Sequence, residues 1–144
     1  MIELNNDPLI ISYISKNQFG KLIGMNFNIK NKGVVEYFLN IEEKHLATPN
    51  AAHGGVVASL LDSTIGVGAL SIVCQEGKVV STVEMKLTFF LPVFLNDILT
   101  AKSVLLKKGK HLLFMEAEVR NQNNQLVAKA SGTLNAYPKE KAGY

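Results

Sequence analysis

The chain has 144 residues, 47% of them hydrophobic, a proportion that builds one core without metals or disulfides, and it reads as a single domain over residues 1–144. Net charge is +3, and the lysines are scattered apart from Lys107, Lys108 and Lys110, so there is no basic-aromatic stripe and nucleic acid is not an expected partner. The single cysteine, Cys74, excludes an internal disulfide, fits a reducing compartment and reads as a core residue.

The first ten residues carry early acids and no basic region ahead of an apolar one, so they do not read as a signal peptide. Asp7-Pro8 is a helix start, with Asp7 as N-cap and Pro8 at the first helical position. Leu9, Ile10, Tyr13, Ile14 and Asn17 follow at helical spacing, giving a short helix over about residues 8–18 that should end near Gly20. Residues 21–30 read as a strand with Ile23, Met25, Phe27 and Ile29 toward the core. Asn31-Lys32-Gly33 is a hairpin turn, and residues 34–41 form the second strand, with Val35, Tyr37, Leu39 and Ile41 on one face. Residues 42–52 are a loop. Its His45 has no partner in sequence and is expected at the surface or an interface, as is His111.

Residues 50–74, NAAHGGVVASLLDSTIGVGALSIVC, are the longest apolar run and read as a long helix stopped by Gly77. Its length suits a membrane span, but a carboxylate near its middle, Asp62, costs about 2.5–3.5 kcal/mol on insertion scales. A soluble, cytoplasmic protein with no membrane partner is therefore expected. Strands follow at residues 79–90, 97–106, 111–121 and 126–137, and their short turns favour antiparallel neighbours. Val83/Met85/Leu87/Phe89, Leu112/Phe114 and Leu126/Ala128/Ala130 are their expected core positions, and residues 138–144 read as a frayed polar tail. The element order gives an α+β class, with the strands able to wrap the apolar helix.

Three features of the long helix carry chemistry. Gly54 and Gly55 sit at its amino end, where backbone N–H groups lack intrahelical partners and the dipole is positive. Glycines there either admit a carbonyl oxygen that becomes an oxyanion or only ease the entry into the helix. His53 is placed for acid-base work or for tying the loop to nearby backbone. Asp62 shares a face of small residues with Gly55, Ser59, Gly66 and Ala69. It can serve as a general base for water, as a nucleophile, or as a structural Asp bonded to a neighbour.

Gly54 and Asp62 are eight residues apart, which is ~12 Å along a helix. A reacting carbonyl sits about 3 Å from both its oxyanion donor and its attacking group. One chain cannot place both residues around one atom, whereas two antiparallel helices of a symmetric dimer can.

The segments HGGVVASLLDSTIG, STVEMKLTFFLPV and NQLVAKASGTL resemble the hotdog-fold acyl-CoA thioesterases. The resemblance is closest to the phenylacetate-pathway (PaaI-like) branch of the 4-hydroxybenzoyl-CoA thioesterase superfamily and covers about residues 22–134. It implies a hotdog fold, a long central helix wrapped by an antiparallel sheet of five to six strands. It also implies a homodimer, commonly paired into a homotetramer, with its sites at the dimer interface. The reaction implied is hydrolysis of an acyl-CoA, with no metal and no cofactor beyond the coenzyme A of the substrate. Carried over, the N–H of Gly54 polarises the thioester carbonyl, and the partner's Asp62 activates water or attacks directly. His53, Gly55, Asn50, Ser81 and Thr82 line the substrate. Thr82 stands where relatives place a Ser or Thr.

The chain departs from that pattern at several points. Ala47 occupies the position of a common Asn, and Asn50 stands where relatives often carry Gly. Asn50 either fills the polar role or substitutes for Gly in a left-handed conformation. Strand alternation sets Thr82 on the face of Glu84 and Lys86, so a bulge or the dimer seam has to bring it inward. Lys107, Lys108 and Lys110 are placed either for the CoA phosphates or as a solvated turn. Leu61, Ile65, Met85, Phe89 and Phe90 are candidates for the acyl pocket or for the core. Two other readings share the fold: an acyl-CoA-binding module without turnover, and a hydratase or dehydratase, whose His and carboxylate signature is not apparent.

Overall fold

A computed structural model describes residues 3–144. Asp7 accepts a hydrogen bond from the Leu9 N–H at 2.9 Å with Pro8 in the first turn, so α1 runs Pro8–Lys16. The chain does not then enter a strand at residue 21. Asn17 caps a second helix, α2, Gln18–Ile23, by accepting the Gly20 N–H at 3.0 Å, and Gly24 stops it at φ 87°. Gly20 thus sits inside a helix, and β1 begins only at Asn26.

The strands are β1 Asn26–Asn31, β2 Val34–Asn40, β3 Lys78–Phe89, β4 Ile98–Lys108, β5 Leu112–Arg120 and β6 Leu126–Pro138. They form one six-stranded sheet in the order β1-β2-β4-β5-β6-β3, with every neighbouring pair antiparallel. The long helix α3, Gly54–Val73, lies across one face and touches all six strands. This is the hotdog architecture. The segment Gly54–Glu76 is long and apolar enough to cross a membrane, yet most of it is buried in the fold.

Leu60, Leu61 and Ile65 of α3 are fully buried with Tyr37, Leu99, Met115 and Leu134 of the sheet. Each such Leu or Ile contributes about 1.5–3 kcal/mol. Leu61 and Ile65 are therefore core residues and do not line an acyl pocket. Two serines fix the β1–β2 hairpin to the helix and sheet: Ser71 Oγ accepts the Gly33 N–H at 2.8 Å, and Ser103 Oγ donates to the Gly33 carbonyl at 2.9 Å.

Other expectations are corrected. On β5 the inward residues are Leu113, Met115, Ala117 and Val119, while Leu112 and Phe114 point outward. The run Leu112–Met115 is apolar on both faces, so only Ala117 and Val119 decide the register. On β3, Val83 and Phe89 are exposed, and Met85 and Leu87 are half-buried. Residues 138–144 are ordered: Lys139–Ala142 form one 3-10 turn, the Lys139 N–H donates to the Gly77 carbonyl at 3.1 Å, and Tyr144 packs against the core. Cys74 is buried, and burial pushes its thiol up to about 11.

Candidate active site

The amino end of α3 is built by its entry loop. His45, expected at the surface, is buried. Its Nδ1 accepts the Glu42 N–H at 2.9 Å, so the ring proton lies on Nε2, which donates to the Ile23 carbonyl at 2.7 Å. The His45 carbonyl in turn accepts the His53 N–H at 2.8 Å, and the Ala52 N–H donates to the Val93 carbonyl at 2.8 Å. The start of α3 is thus held from two sides.

His53 is the N-cap. Its Nδ1 accepts the Gly55 N–H at 2.8 Å, and its carbonyl accepts the Val56 N–H at 3.0 Å. A Cβ on Gly55 would lie 2.8 Å from that Nδ1, so glycine is what lets the imidazole fold back over the helix end. The consequence concerns Gly54. Among the described residues, its exposed N–H has no acceptor. A Cβ there would make only ordinary contact with the Phe89 ring, 3.5 Å away. Gly54 opens on an apolar groove of about 300 Å³ walled by Phe89, Phe90, Leu91 and Pro92.

Asp62 lies two turns further along, on the side of α3 that the sheet leaves uncovered. It is not a buried charge within this chain, so its cost there is small. Its Oδ1 accepts the Thr82 hydroxyl at 2.7 Å. That contact depends on a β-bulge. The β3–β6 register shifts between Thr82 and Glu84, leaving Val83 as the extra residue and turning Thr82 toward the helix. Ser81, opposite Asn135, is exposed. β3 is an edge strand of the sheet, so Asp62 and Thr82 stand beside an unpaired strand edge.

Asp62, Ser63, Gly66 and Thr82 line a cleft of about 410 Å³, whose other walls include Tyr13 and Phe19 from the N-terminal helices and Tyr137 and Tyr144 from the C-terminal end. The Tyr13 hydroxyl accepts from the Asn17 side chain at 3.1 Å. Burial raises the Tyr13 phenol above its ordinary range, with the charge of Asp62 adding to the effect. Tyr13 and Tyr144 are walls of this cleft that the sequence does not mark, Tyr144 lying in the stretch that reads as a frayed tail. No local signal marks either, since they reach Asp62 only through packing.

Other candidates lie elsewhere. Asn50 is exposed, its side chain meets only the Thr48 hydroxyl at 3.3 Å, and its backbone is not left-handed, so it is not a stand-in for Gly. Lys108 pairs with Glu76 at 2.9 Å, beyond the carboxyl end of α3, with Lys107 beside it on β4 and Lys110 in the following turn. None of the three lines the Gly54 groove or the Asp62 cleft. The structure therefore sets two candidate positions on one helix, the Gly54 groove and the Asp62 cleft, ~12 Å apart along its axis.

The family model described as the thioesterase superfamily matches residues 50–128, more than half of the chain. The mouse (Mus musculus) protein acyl-coenzyme A thioesterase 13 is 28% identical over 97 residues, covering 66% of this chain and 67% of its own. The E. coli PaaI protein from the phenylacetic acid degradation operon superposes with a TM-score of 0.81 at 21% identity, over 88% of this chain and 89% of its own. Smu.793 from Streptococcus mutans UA159, solved bound to acetyl CoA, superposes with a TM-score of 0.72 at 24% identity, over 79% and 89% of the two chains.

Proposed function

The chain belongs to the thioesterase superfamily, and we propose that its substrate is an acyl-CoA, hydrolysed to a carboxylate and free CoA thiol. The site is composite. Gly54 of one protomer holds the thioester oxygen, and Asp62 of the other activates water. The separation of the two half-sites carries this reading: each has one of the two required groups, and neither can reach the other within one chain.

A homodimer pairing two α3 helices antiparallel brings Gly54 of each against Asp62 of the other. The free edge of β3, with exposed Val83 beside the Asp62–Thr82 contact, is the natural seam for such a pair. Pairing of two dimers gives the homotetramer.

The chemistry follows from the groups. Thr82 fixes one carboxylate oxygen of Asp62 and leaves Oδ2 to take a proton from water as the water oxygen attacks the thioester carbon. The carbonyl electron pair moves onto oxygen, where the Gly54 N–H and the positive end of α3 stabilise it. Collapse of the tetrahedral intermediate expels the CoA thiolate, which takes up the proton held by Asp62 and so restores the carboxylate. His53 acts before the reaction, by occupying the Gly55 N–H and so leaving that of Gly54 for substrate. No metal is required, and coenzyme A enters only as part of the substrate.

The test is a panel of acyl-CoAs assayed for thiol release, with Asp62→Ala beside the wild type. Turnover that Asp62→Ala abolishes supports the reading. No turnover on any thioester, or full activity in a folded, dimeric Asp62→Ala, overturns it. Loss of the enoyl double bond without thiol release, on enoyl-CoA, identifies a hydratase instead.

A further inference from the structure

Helix α3 carries two glycines within two turns beyond Asp62, Gly66 and Gly68, each in a helix interior where glycine is disfavoured. Gly68 is explained by packing, because a Cβ there would lie 2.6 Å from Ser103 Oγ and 2.8 Å from the Met115 methyl. Gly66 is not. Nothing lies within 4 Å of where its Cβ would stand, and its φ is an ordinary helical one. No contact within the chain requires glycine at this position.

Gly66 follows Asp62 by four residues, so the two are neighbours on one helix face. Both line the same cleft. The character of that cleft changes along its length. Asp62, Ser63 and Thr82 make one end polar, while Leu70, Val79 and Val80 line the continuation with the ring of Tyr137, the cross-strand neighbour of Val79. Gly66 is ~6 Å from Asp62 along the helix axis and Leu70 is ~12 Å from it. A side chain at Gly66 would stand between the carboxylate and the apolar continuation.

We propose that Gly66 is a specificity-determining position. The acyl group runs from the thioester carbon at Asp62, over the bare backbone of Gly66, toward Leu70. The substrate class is accordingly the CoA thioester of an unbranched apolar acyl chain of medium length, octanoyl rather than acetyl. This rests on the acyl-CoA hydrolase reading above and extends it from the reaction to the acyl group.

The experiment compares wild type, Gly66→Ala and Gly66→Leu on acetyl-, hexanoyl-, octanoyl- and decanoyl-CoA, with melting temperature and native mass measured in parallel. Because the site is open, Gly66→Ala should fold and melt higher than the wild type. Gly66→Leu should lower kcat/KM for octanoyl-CoA about tenfold or more while leaving acetyl-CoA turnover near that of the wild type. Equal effects of Gly66→Leu on all acyl lengths, or none, overturn the assignment of Gly66 and leave the hydrolase reading intact. A change of native mass in either variant also overturns it, since the space at Gly66 then belongs to a partner helix. Failure of the wild type on all four, with thiol release from another acyl-CoA of the panel, overturns the chain assignment alone; failure on every thioester overturns both readings.

Discussion

The two half-sites of α3 differ in what supplies the chemistry. At the amino end the proposed functional group is a backbone N–H, without a partner because it lies in the first turn of the helix, while His53 takes that of Gly55. Side-chain identity at residue 54 matters there only through bulk and through the presence of that hydrogen. Two turns later the proposed functional group is a carboxylate, held by a hydroxyl that a bulge in β3 turns inward. The first half-site depends on helix geometry and the second on the registry of an edge strand, so each is breakable without disturbing the other.

The largest expected effect is at the carboxylate. Asp62→Asn keeps the shape and the Thr82 contact but removes the base, and kcat should fall about a thousandfold, read as thiol release at saturating acyl-CoA. At the amino end, Gly54→Pro is the sharper probe. Pro at the first helical position is favoured; it removes the N–H and adds a ring beside Phe89, so Gly54→Ala, which adds bulk but keeps the N–H, is its control. His53 already has φ -64° and ψ 136°, the extended conformation that a following proline demands. This variant should retain its melting temperature and lose about a hundredfold in kcat. If a folded Gly54→Pro retains full activity, the oxyanion donor lies elsewhere.

These two residues were also the most legible in the sequence. The Gly-Gly after His53 and the lone carboxylate of the apolar run stand out because both oppose what an all-buried helix needs. The antiparallel sense of the strands is legible because short turns leave antiparallel neighbours as the economical arrangement, but their order is not: β3 lies at the edge beside β6 and β2 pairs with β4, so the consecutive strands β3 and β4 are not neighbours. What was not legible depends on contacts between distant segments. His45 looked unpartnered because its partner, the Ile23 carbonyl, ends a helix 22 residues away. The last three residues of that helix, 21–23, fall in the span that reads as strand, because Asn17 capping Gly20 is invisible to a pattern of alternating apolar residues. Leu112 and Phe114 were assigned inward because both faces of early β5 are apolar. The cleft walls Tyr13 and Tyr144 meet Asp62 only in three dimensions.

A smaller effect sharpens the second half-site. Thr82→Val removes the hydroxyl that fixes Asp62 Oδ1, a charge-assisted bond, and should lower kcat about tenfold with KM little changed. Thr82→Ser, which keeps the hydroxyl, should restore most of that loss. If Thr82→Val lowers activity only through a lower melting temperature, Thr82 is structural.

The smallest effect lies away from both half-sites. Burial raises the thiol of Cys74 from 9.0 to about 11 and raises the phenols of Tyr13 and Tyr37. These acids ionise more readily in the unfolded chain, so the folded state binds more protons at alkaline pH. Stability is then undiminished below the unfolded-state value and falls as pH rises through the interval between the two values. Urea midpoints should drop between about pH 9 and pH 11, and Cys74→Ala should remove part of that drop, at most about 3 kcal/mol. An unchanged slope in Cys74→Ala would assign the effect to the tyrosines.

The composite site itself is tested most directly by subunit mixing. Asp62→Asn and Gly54→Pro are each prepared as inactive homodimers, then unfolded together and refolded in equal amounts. Random pairing makes half of the dimers mixed, and each mixed dimer holds one site with an intact Gly54 and an intact Asp62 from opposite protomers. A site shared across the interface predicts recovery of about one quarter of the wild-type activity per chain, since half the dimers carry one working site of two. A site contained within one chain predicts no recovery, because every chain in the mixture carries a defect.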